Sequence, residues 1–177
     1  MKLISHFNRT VLGLACTVLI LTTPPLNAAD RSRPNIAPIF ANAGIKVDFT
    51  PTTDPSVLKA TVKGVVQSSL LGTCIDDAEL EARFPTTPGQ PVVVSGTATL
   101  TSIDGINSLK LTVAGTASPD PANPGFYNAK YQITITGGTG AYTSARGLAE
   151  INEVVMFTSP VTATATWNLK GFVITPQ

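Results

Sequence analysis

The chain has 177 residues, of which 43% are hydrophobic and 13% are charged, and its formal net charge at pH 7 is +1. It carries no basic run of the kind that attracts phosphates, so nucleic acid is not an expected partner. His6 is the only histidine and lies in a segment predicted to be removed. The remaining chain therefore cannot form a Ser-His-Asp triad, a Cys-His pair or a histidine metal site. We expect neither a metal nor a cofactor.

Residues 1–29 are typical of a secretory signal peptide. Lys2 and Arg9 give it a basic beginning, and Val11–Leu21 is an apolar run that is too short to span a membrane as a helix. Small residues favour cleavage after Ala28 or Ala29, and no later segment is long and apolar enough for a membrane helix. Cleavage removes two basic residues and leaves ten against eleven acidic ones, a net charge near −1. The sequence therefore predicts a secreted or periplasmic protein.

Residues 30–44 are polar and then interrupted by prolines, which predicts an extended N-terminal arm, and residues 45–177 are predicted to form a single domain. Cleavage would also remove Cys16 and leave Cys74 alone. A lone cysteine cannot form an internal disulfide, so packing must stabilise the domain. With no histidine or nearby lysine to lower its pKa, Cys74 is predicted to be an inert buried thiol.

Segments in which apolar and polar residues alternate, the pattern of half-buried strands, follow one another along this domain. They cover residues 45–49, 57–66, 70–84, 92–103, 109–113, 127–136, 145–157 and 161–169. Asp104-Gly105 lies between two of them and predicts a two-residue hairpin of type I′. Eight strands joined mostly by short turns, without a convincing long helix, indicate an all-β fold, either an antiparallel barrel or a β-sandwich.

The segment 70–84 has two interpretations. Residues 75–83 could form one or two helical turns, or a strand with Ala78, Leu80 and Ala82 pointing inward. We favour the strand because its neighbours are strands. Its acidic residues are interpreted as a solvated strand face rather than as a calcium site, because the glycine of calcium loops is missing. These acidic residues are Asp76, Asp77, Glu79 and Glu81.

The segment 127–136 carries two phenols on its apolar face. Tyr127 and Tyr131 alternate with polar residues in step with Ala129, Ile133 and Ile135. If this face lines a lumen, the phenols can orient a ligand by hydrogen bonds and stacking. If it packs against another layer, they are ordinary core residues.

Glu150 and Glu153 are the candidate catalytic residues. They fall on opposite faces of an apolar strand, so at most one of them points into a lumen. A carboxyl group in an apolar cavity has a raised pKa and can act as a general acid or base. The interpretation we favour is that both are solvated, one at a rim and the other outside.

Gly137, Gly138 and Gly140 fall within four residues and predict a sharp turn, which Gly147 follows. Such a turn could bind an anion through its N–H groups, but it lacks the lysine of a phosphate-binding loop and no helix follows it. A tight corner of the fold is the favoured interpretation. Arg146 either pairs with a substrate carboxylate or fixes this corner by bonding to backbone carbonyls or to an acidic residue.

The run GGTGAYTSARG, residues 137–147, resembles the G-G-T-G-x-[aromatic]-x-x-A-R-G signature of dirigent proteins. It is similar, more loosely, to the matching turn of allene oxide cyclases and related bacterial barrel proteins. The resemblance covers this turn and the surrounding strand order, about the last third of the chain. It implies an eight-stranded antiparallel barrel with a central cavity, often assembled as a trimer. The families' acidic site residues lie outside the matched motif, so no catalytic residue is carried over.

The first hypothesis for function is a secreted barrel that binds a small lipid-like or phenolic molecule and steers its cyclisation or coupling. Tyr127, Tyr131, Tyr142 and Arg146 are the candidate ligand-binding residues. This hypothesis requires a cavity of a few hundred Å³, lined mainly by apolar side chains with one or two acids or phenols. The alternative is a structural or interaction domain at the cell surface with a packed interior. A hydrolase is disfavoured by the missing histidine, although two carboxylates could act on glycosides.

Overall fold

The structure is a computed structural model that describes residues 34–87 and 89–176. The predicted signal peptide, residues 1–29, lies outside the described residues. Eight β-strands follow one another, and a short 3-10 turn, Gly140–Tyr142, separates the sixth from the seventh. The strands are β1 Asn35–Pro51, β2 Val57–Ser68, β3 Gly72–Arg83, β4 Val92–Ser102, β5 Ser108–Pro119, β6 Phe126–Thr139, β7 Arg146–Ser159 and β8 Thr162–Thr175.

The strands close into a single antiparallel barrel in which each strand pairs with the next. Closure is completed by β1 and β8, which pair from Asn35 opposite Thr175 to Asp48 opposite Thr162. Closure gives every strand a neighbour on both sides, although the first residues of β1, before Ala41, extend beyond β2. The predicted eight-stranded antiparallel barrel is therefore confirmed, and the sandwich alternative is wrong.

Side chains alternate between the lumen and the outer surface along every strand, as the period of two requires. The predicted inward face of 127–136 is buried from Ala129 to Ile135, and Tyr127 is partly buried at its beginning. On β8 the inward row includes Ala163, Ala165 and Trp167. Small and β-branched side chains dominate the interior, so the core of the domain is the filling of the barrel itself.

The structure describes residues 34–44 of the predicted arm, residues 30–44, and there it differs from the prediction because β1 already begins at Asn35. Ile39 and Ala41 are buried in the barrel, and the backbone of this segment pairs with β8. Two prolines suggested an irregular arm, but Pro38 lies within β1. On the side of β2, Pro38 has no paired strand among the described residues, because β2 pairs with β1 only from Ala41 onward. This edge-like position tolerates a residue that lacks an N–H donor.

Two further segments test the predicted elements. Residues 72–83 form a strand with Ala78 and Ala82 buried, so the favoured interpretation of this segment is confirmed and the helical one is wrong. The predicted two-residue hairpin at Asp104-Gly105 is also wrong, because β4 ends at Ser102 and five residues precede β5. Asp104 Oδ1 accepts hydrogen bonds from Ser102 Oγ at 2.6 Å and from Ile106 N at 2.9 Å, which stabilises the longer loop.

The barrel has two different ends. The loop end carries the connections 52–56, 84–91, 120–125 and 160–161, and the glycine end carries the connections 69–71, 103–107 and 140–145. Within the described part of the chain, no helix has the length and apolar character needed to cross a membrane.

Candidate functional site

Within the described part of the chain, the interior of the barrel contains small cavities, among them an outer and an inner one. The outer cavity, about 60 Å³, lies toward the loop end, and the inner cavity, about 50 Å³, lies deeper along the axis. The two share the lining residues Val62, Leu80, Tyr131 and Glu153. Most other lining side chains are aliphatic or aromatic, so the lumen is an apolar site with a few polar groups, as ligand sites commonly are.

Glu153 and Tyr131 form a hydrogen-bonded pair between the cavities. The Tyr131 hydroxyl donates to Glu153 Oε2 at 2.8 Å. Burial raises the pKa of Glu153 to about 7, although the bond from Tyr131 acts in the opposite direction. Burial and the neighbouring Glu153 carboxylate raise the pKa of Tyr131. The phenol therefore stays protonated, while the carboxyl group can gain or lose a proton near neutral pH.

The local sequence explains how this pair is positioned. Glu153 on β7 lies opposite Ala129 on β6, so Tyr131 reaches it diagonally along the same inward face. Gly115 on β5 lies opposite Tyr131, and a Cβ at Gly115 would overlap the carbonyl oxygen of Lys130 and come within 2.9 Å of the Tyr131 ring. The absence of a side chain at Gly115 is therefore what lets the phenol lie against the barrel wall.

Asp76 is a second lumenal acid that the sequence interpretation missed. Its residue is only 6% exposed, and it lines the inner cavity. Burial raises the pKa of Asp76 to about 7, with further contributions from the charges of Glu153 and Asp77. The interpretation of all four acids as a solvated face is wrong for Asp76. Asp76 and Ala78 point into the barrel, whereas Asp77, Glu79 and Glu81 alternate with them and point outward.

The two acids meet because of barrel closure. Asp76 lies on β3 and Glu153 on β7, and strands that are four apart in an eight-stranded barrel face each other across the lumen. Both line the inner cavity together with Tyr131 and Trp167. Trp167 lies directly opposite Glu153 on the neighbouring strand β8.

Aromatic rings surround the outer cavity near the loop end. The rings of Phe49 and Phe157 stack with centroids 5.1 Å apart, and Tyr127 meets Phe157 edge-on at 5.5 Å. Phe84 also lines this cavity. The structure thus places Tyr127 at the mouth of the lumen and Tyr131 near its middle.

The remaining candidate residues lie away from the lumen. Glu150 is exposed on the outer face of β7, opposite Lys170. Arg146 Nη1 donates to the carbonyl oxygens of Thr136 and Ala145, which is the corner-fixing role. The Tyr142 hydroxyl donates to the carbonyl oxygen of Leu70 at 3.1 Å and helps to close the glycine end.

The glycine turn is a packed corner. Gly140 has φ +57, and a side chain there would collide with Asn107, while a Cβ at Gly138 would overlap the Ser108 carbonyl oxygen. The N–H of Ala141 donates to Asn107 Oδ1 at 2.9 Å. Gly147 lies equally close to the backbone of β8. The N–H group of Ala141 thus serves the protein itself, which favours the structural interpretation of the turn.

The chain matches no family model and no curated protein. It is similar to a solved structure described as a pterocarpan synthase dirigent protein, with 14% sequence identity and a TM-score of 0.36. The similarity covers 88% of this chain and 96% of that chain. Residue roles are not transferred at such an identity, and the chemistry of the site is argued from its own geometry.

Proposed function

We propose that this barrel binds a small lipid-like or phenolic molecule in its lumen and steers its cyclisation or coupling. The observation that carries the proposal is the Glu153–Tyr131 pair, which lies between two apolar cavities. In this proposal the protein is secreted or periplasmic, assembles as a homotrimer and uses no cofactor.

Each part of the lumen has a role in this function. Apolar walls supply affinity through removal of apolar surface from water. The Tyr131 hydroxyl orients an oxygen atom of the ligand beside Glu153. With a pKa of about 7, Glu153 is present in both protonation states at neutral pH, which suits a general acid or base.

The cavity volumes restrict the size of the ligand. The sequence-based hypothesis requires a few hundred Å³, whereas the two cavities measure about 60 and 50 Å³. An apolar cavity of ~150 Å³ accommodates benzene, so the two cavities together hold only a ligand smaller than a benzene ring. A larger ligand requires the rings of Phe49 and Phe157 to separate at the mouth.

A structural or interaction role is the second candidate function. Its support is an apolar patch on the outer surface, where Phe40 is 58% exposed and Leu148 is 56% exposed. These two residues and Phe172 line a surface groove across β1, β7 and β8. Exposed apolar patches of this kind often mark interaction surfaces.

Tryptophan fluorescence provides the test of ligand binding. Trp167 is the only tryptophan in the chain and lines the inner cavity, so a ligand in the lumen should change its emission. We expect saturable changes with small phenols and short apolar lipids, and native mass spectrometry should show a bound ligand and a trimer. Glu153→Gln should slow any conversion of the ligand, whereas Glu150→Gln on the outer face should not.

The absence of any fluorescence change across such a panel, together with ligand-free protein from the native host, would overturn the binding proposal and favour the interaction role. A monomer in native mass spectrometry would overturn the trimer alone.

A further inference from the structure

We propose that the inner cavity is a binding site for a positive charge, and that the ligand of the barrel is a small apolar amine whose ammonium group lies between Asp76 and Glu153. This inference rests on the proposed function of the lumen as a ligand site, and it narrows the ligand to an apolar molecule that carries an amine. It is carried by the carboxyl groups of the cavity and by an unsatisfied oxygen on one of them.

The unsatisfied oxygen is Asp76 Oδ1. This atom is buried and has no hydrogen-bond partner among the described residues. A buried acceptor without a donor destabilises the folded protein, and more so when it is charged. A ligand that brings an N–H donor to this oxygen removes that cost, and an ammonium group brings three donors at once.

The charges around the cavity favour a cation. The lining residues of the inner cavity include two acids and no lysine or arginine. A ligand carboxylate would meet two like charges in an apolar surrounding, which is strongly unfavourable. An ammonium group would instead form charge-assisted hydrogen bonds with both carboxylates, and these bonds are about twice as strong as neutral ones.

The aromatic side chains of the cavity fit the same ligand. Trp167 and Tyr131 both line it, and an indole face is the best aromatic partner for a cation. The aliphatic part of the amine would extend toward the outer cavity, past the shared side chains Val62 and Leu80. The small volume of both cavities limits this part to a short chain.

Proton uptake competes with the amine. On β3, Cys74 lies two residues before Asp76 and is buried on the same inward face, whereas Asp77 points outward. Burial and the charge of Asp76 raise the pKa of Cys74 to about 11. From β6 and β7, Tyr131 and Glu153 face Asp76 across the cavity. Because the pKa values of both acids are about 7, raising the pH from 5 to 8 deprotonates them and creates the negative charges that an ammonium group binds.

The test uses three probes of the same length, n-butylammonium, butan-1-ol and butyrate, titrated into the full secreted protein with Trp167 emission as the signal. An alkylammonium group stays protonated at pH 8, as lysine does. At this pH we expect butylammonium to bind at least tenfold more tightly than butanol, and butyrate not to bind. Asp76→Asn should weaken butylammonium binding about tenfold and leave butanol within twofold. Glu79→Gln, at an exposed acid on the outer face of the same strand, is the control and should change neither.

A second measurement does not depend on a variant that folds. In the wild-type protein the affinity for butylammonium should rise at least tenfold between pH 5 and pH 8, while that for butanol should stay constant. Equal affinities for the amine and the alcohol, or an amine affinity that does not change with pH, would overturn the inference. Binding of phenols or butanol without binding of butylammonium would overturn it too, yet would leave the proposed lumenal function standing.

Discussion

Asp76→Asn should make the stability of the barrel less dependent on pH. A carboxyl group whose pKa is higher in the folded than in the unfolded state contributes stability that is fully present below the unfolded pKa. That contribution is lost as the pH rises through the folded pKa. For Asp76 the ordinary value is 3.8 and burial raises it to about 7, so the wild-type protein should lose stability between pH 4 and pH 7 and little more above.

The size of the effect follows from the pKa shift. Between pH 5 and pH 7 the folded protein holds a proton on Asp76 that the unfolded chain has already lost. Each pH unit in this range removes about 1.4 kcal/mol, so Asp76 accounts for about 3 kcal/mol of lost stability. For a chain of this size the loss corresponds to a fall in Tm of roughly 6–12 °C. Glu153, with a pKa of about 7, adds to the slope in the same direction.

The assay is urea denaturation followed by Trp167 emission at pH 5, 6, 7 and 8. The free energy of unfolding of Asp76→Asn should fall by about 3 kcal/mol less across this range than that of the wild type. The control is Glu79→Gln, an exposed acid on the outer face of the same strand, which should keep the wild-type slope. A wild-type stability that is constant from pH 5 to pH 8, or an Asp76→Asn protein with an unchanged slope, would refute the buried carboxyl pair.

Three further predictions concern single residues of the lumen wall. Gly115→Ala should lower the free energy of unfolding by about 1–3 kcal/mol, because the new Cβ overlaps the backbone of β6. The control, Gly44→Ala, has no heavy atom within 4 Å of the new Cβ and should change the free energy of unfolding by at most about 1 kcal/mol. Equal effects of the two substitutions in urea denaturation would contradict this account. Tyr131→Phe should raise the pKa of Glu153 above its wild-type value, because the hydrogen bond that lowers this pKa is lost. A pH titration of the Trp167 emission measures the shift, and an unchanged or lower pKa would contradict the prediction. Cys74 is fully buried, and its pKa is raised to about 11. In a variant that lacks Cys16, Cys74 should therefore react with an aromatic disulfide reagent only as fast as the protein unfolds. Rapid reaction of the native protein would show that the interior is open.

The strands and the faces of their side chains could be predicted from the sequence. Period-two alternation is a local property, because successive side chains of a strand must point to opposite faces. It therefore identified the face that Tyr131 shares with Ile133 and placed Glu150 and Glu153 on opposite faces. The same rule applied to β3 would have put Asp76 on the inward face with Ala78, but a run of four acids was interpreted as one solvated surface.

Other features of the strands could not be decided locally. The alternation does not say whether Glu150 or Glu153 is the inward one, since both faces of β7 carry apolar residues. The prolines of the first strand suggested an arm, and only pairing with β8 shows that Ile39 belongs to the core.

The sequence by itself determined an all-β chain with eight strands, a glycine corner at 137–147 and alternating faces, because these depend on neighbouring residues along one strand. Only the tertiary structure decided that Asp76 and Glu153 meet. They are 77 positions apart in the chain and lie on strands with no direct pairing, so their proximity depends on the closure of the barrel. Closure also shields both carboxyl groups from water, Asp76 more fully than Glu153, and so raises their pKa values, which no property of either strand alone could produce.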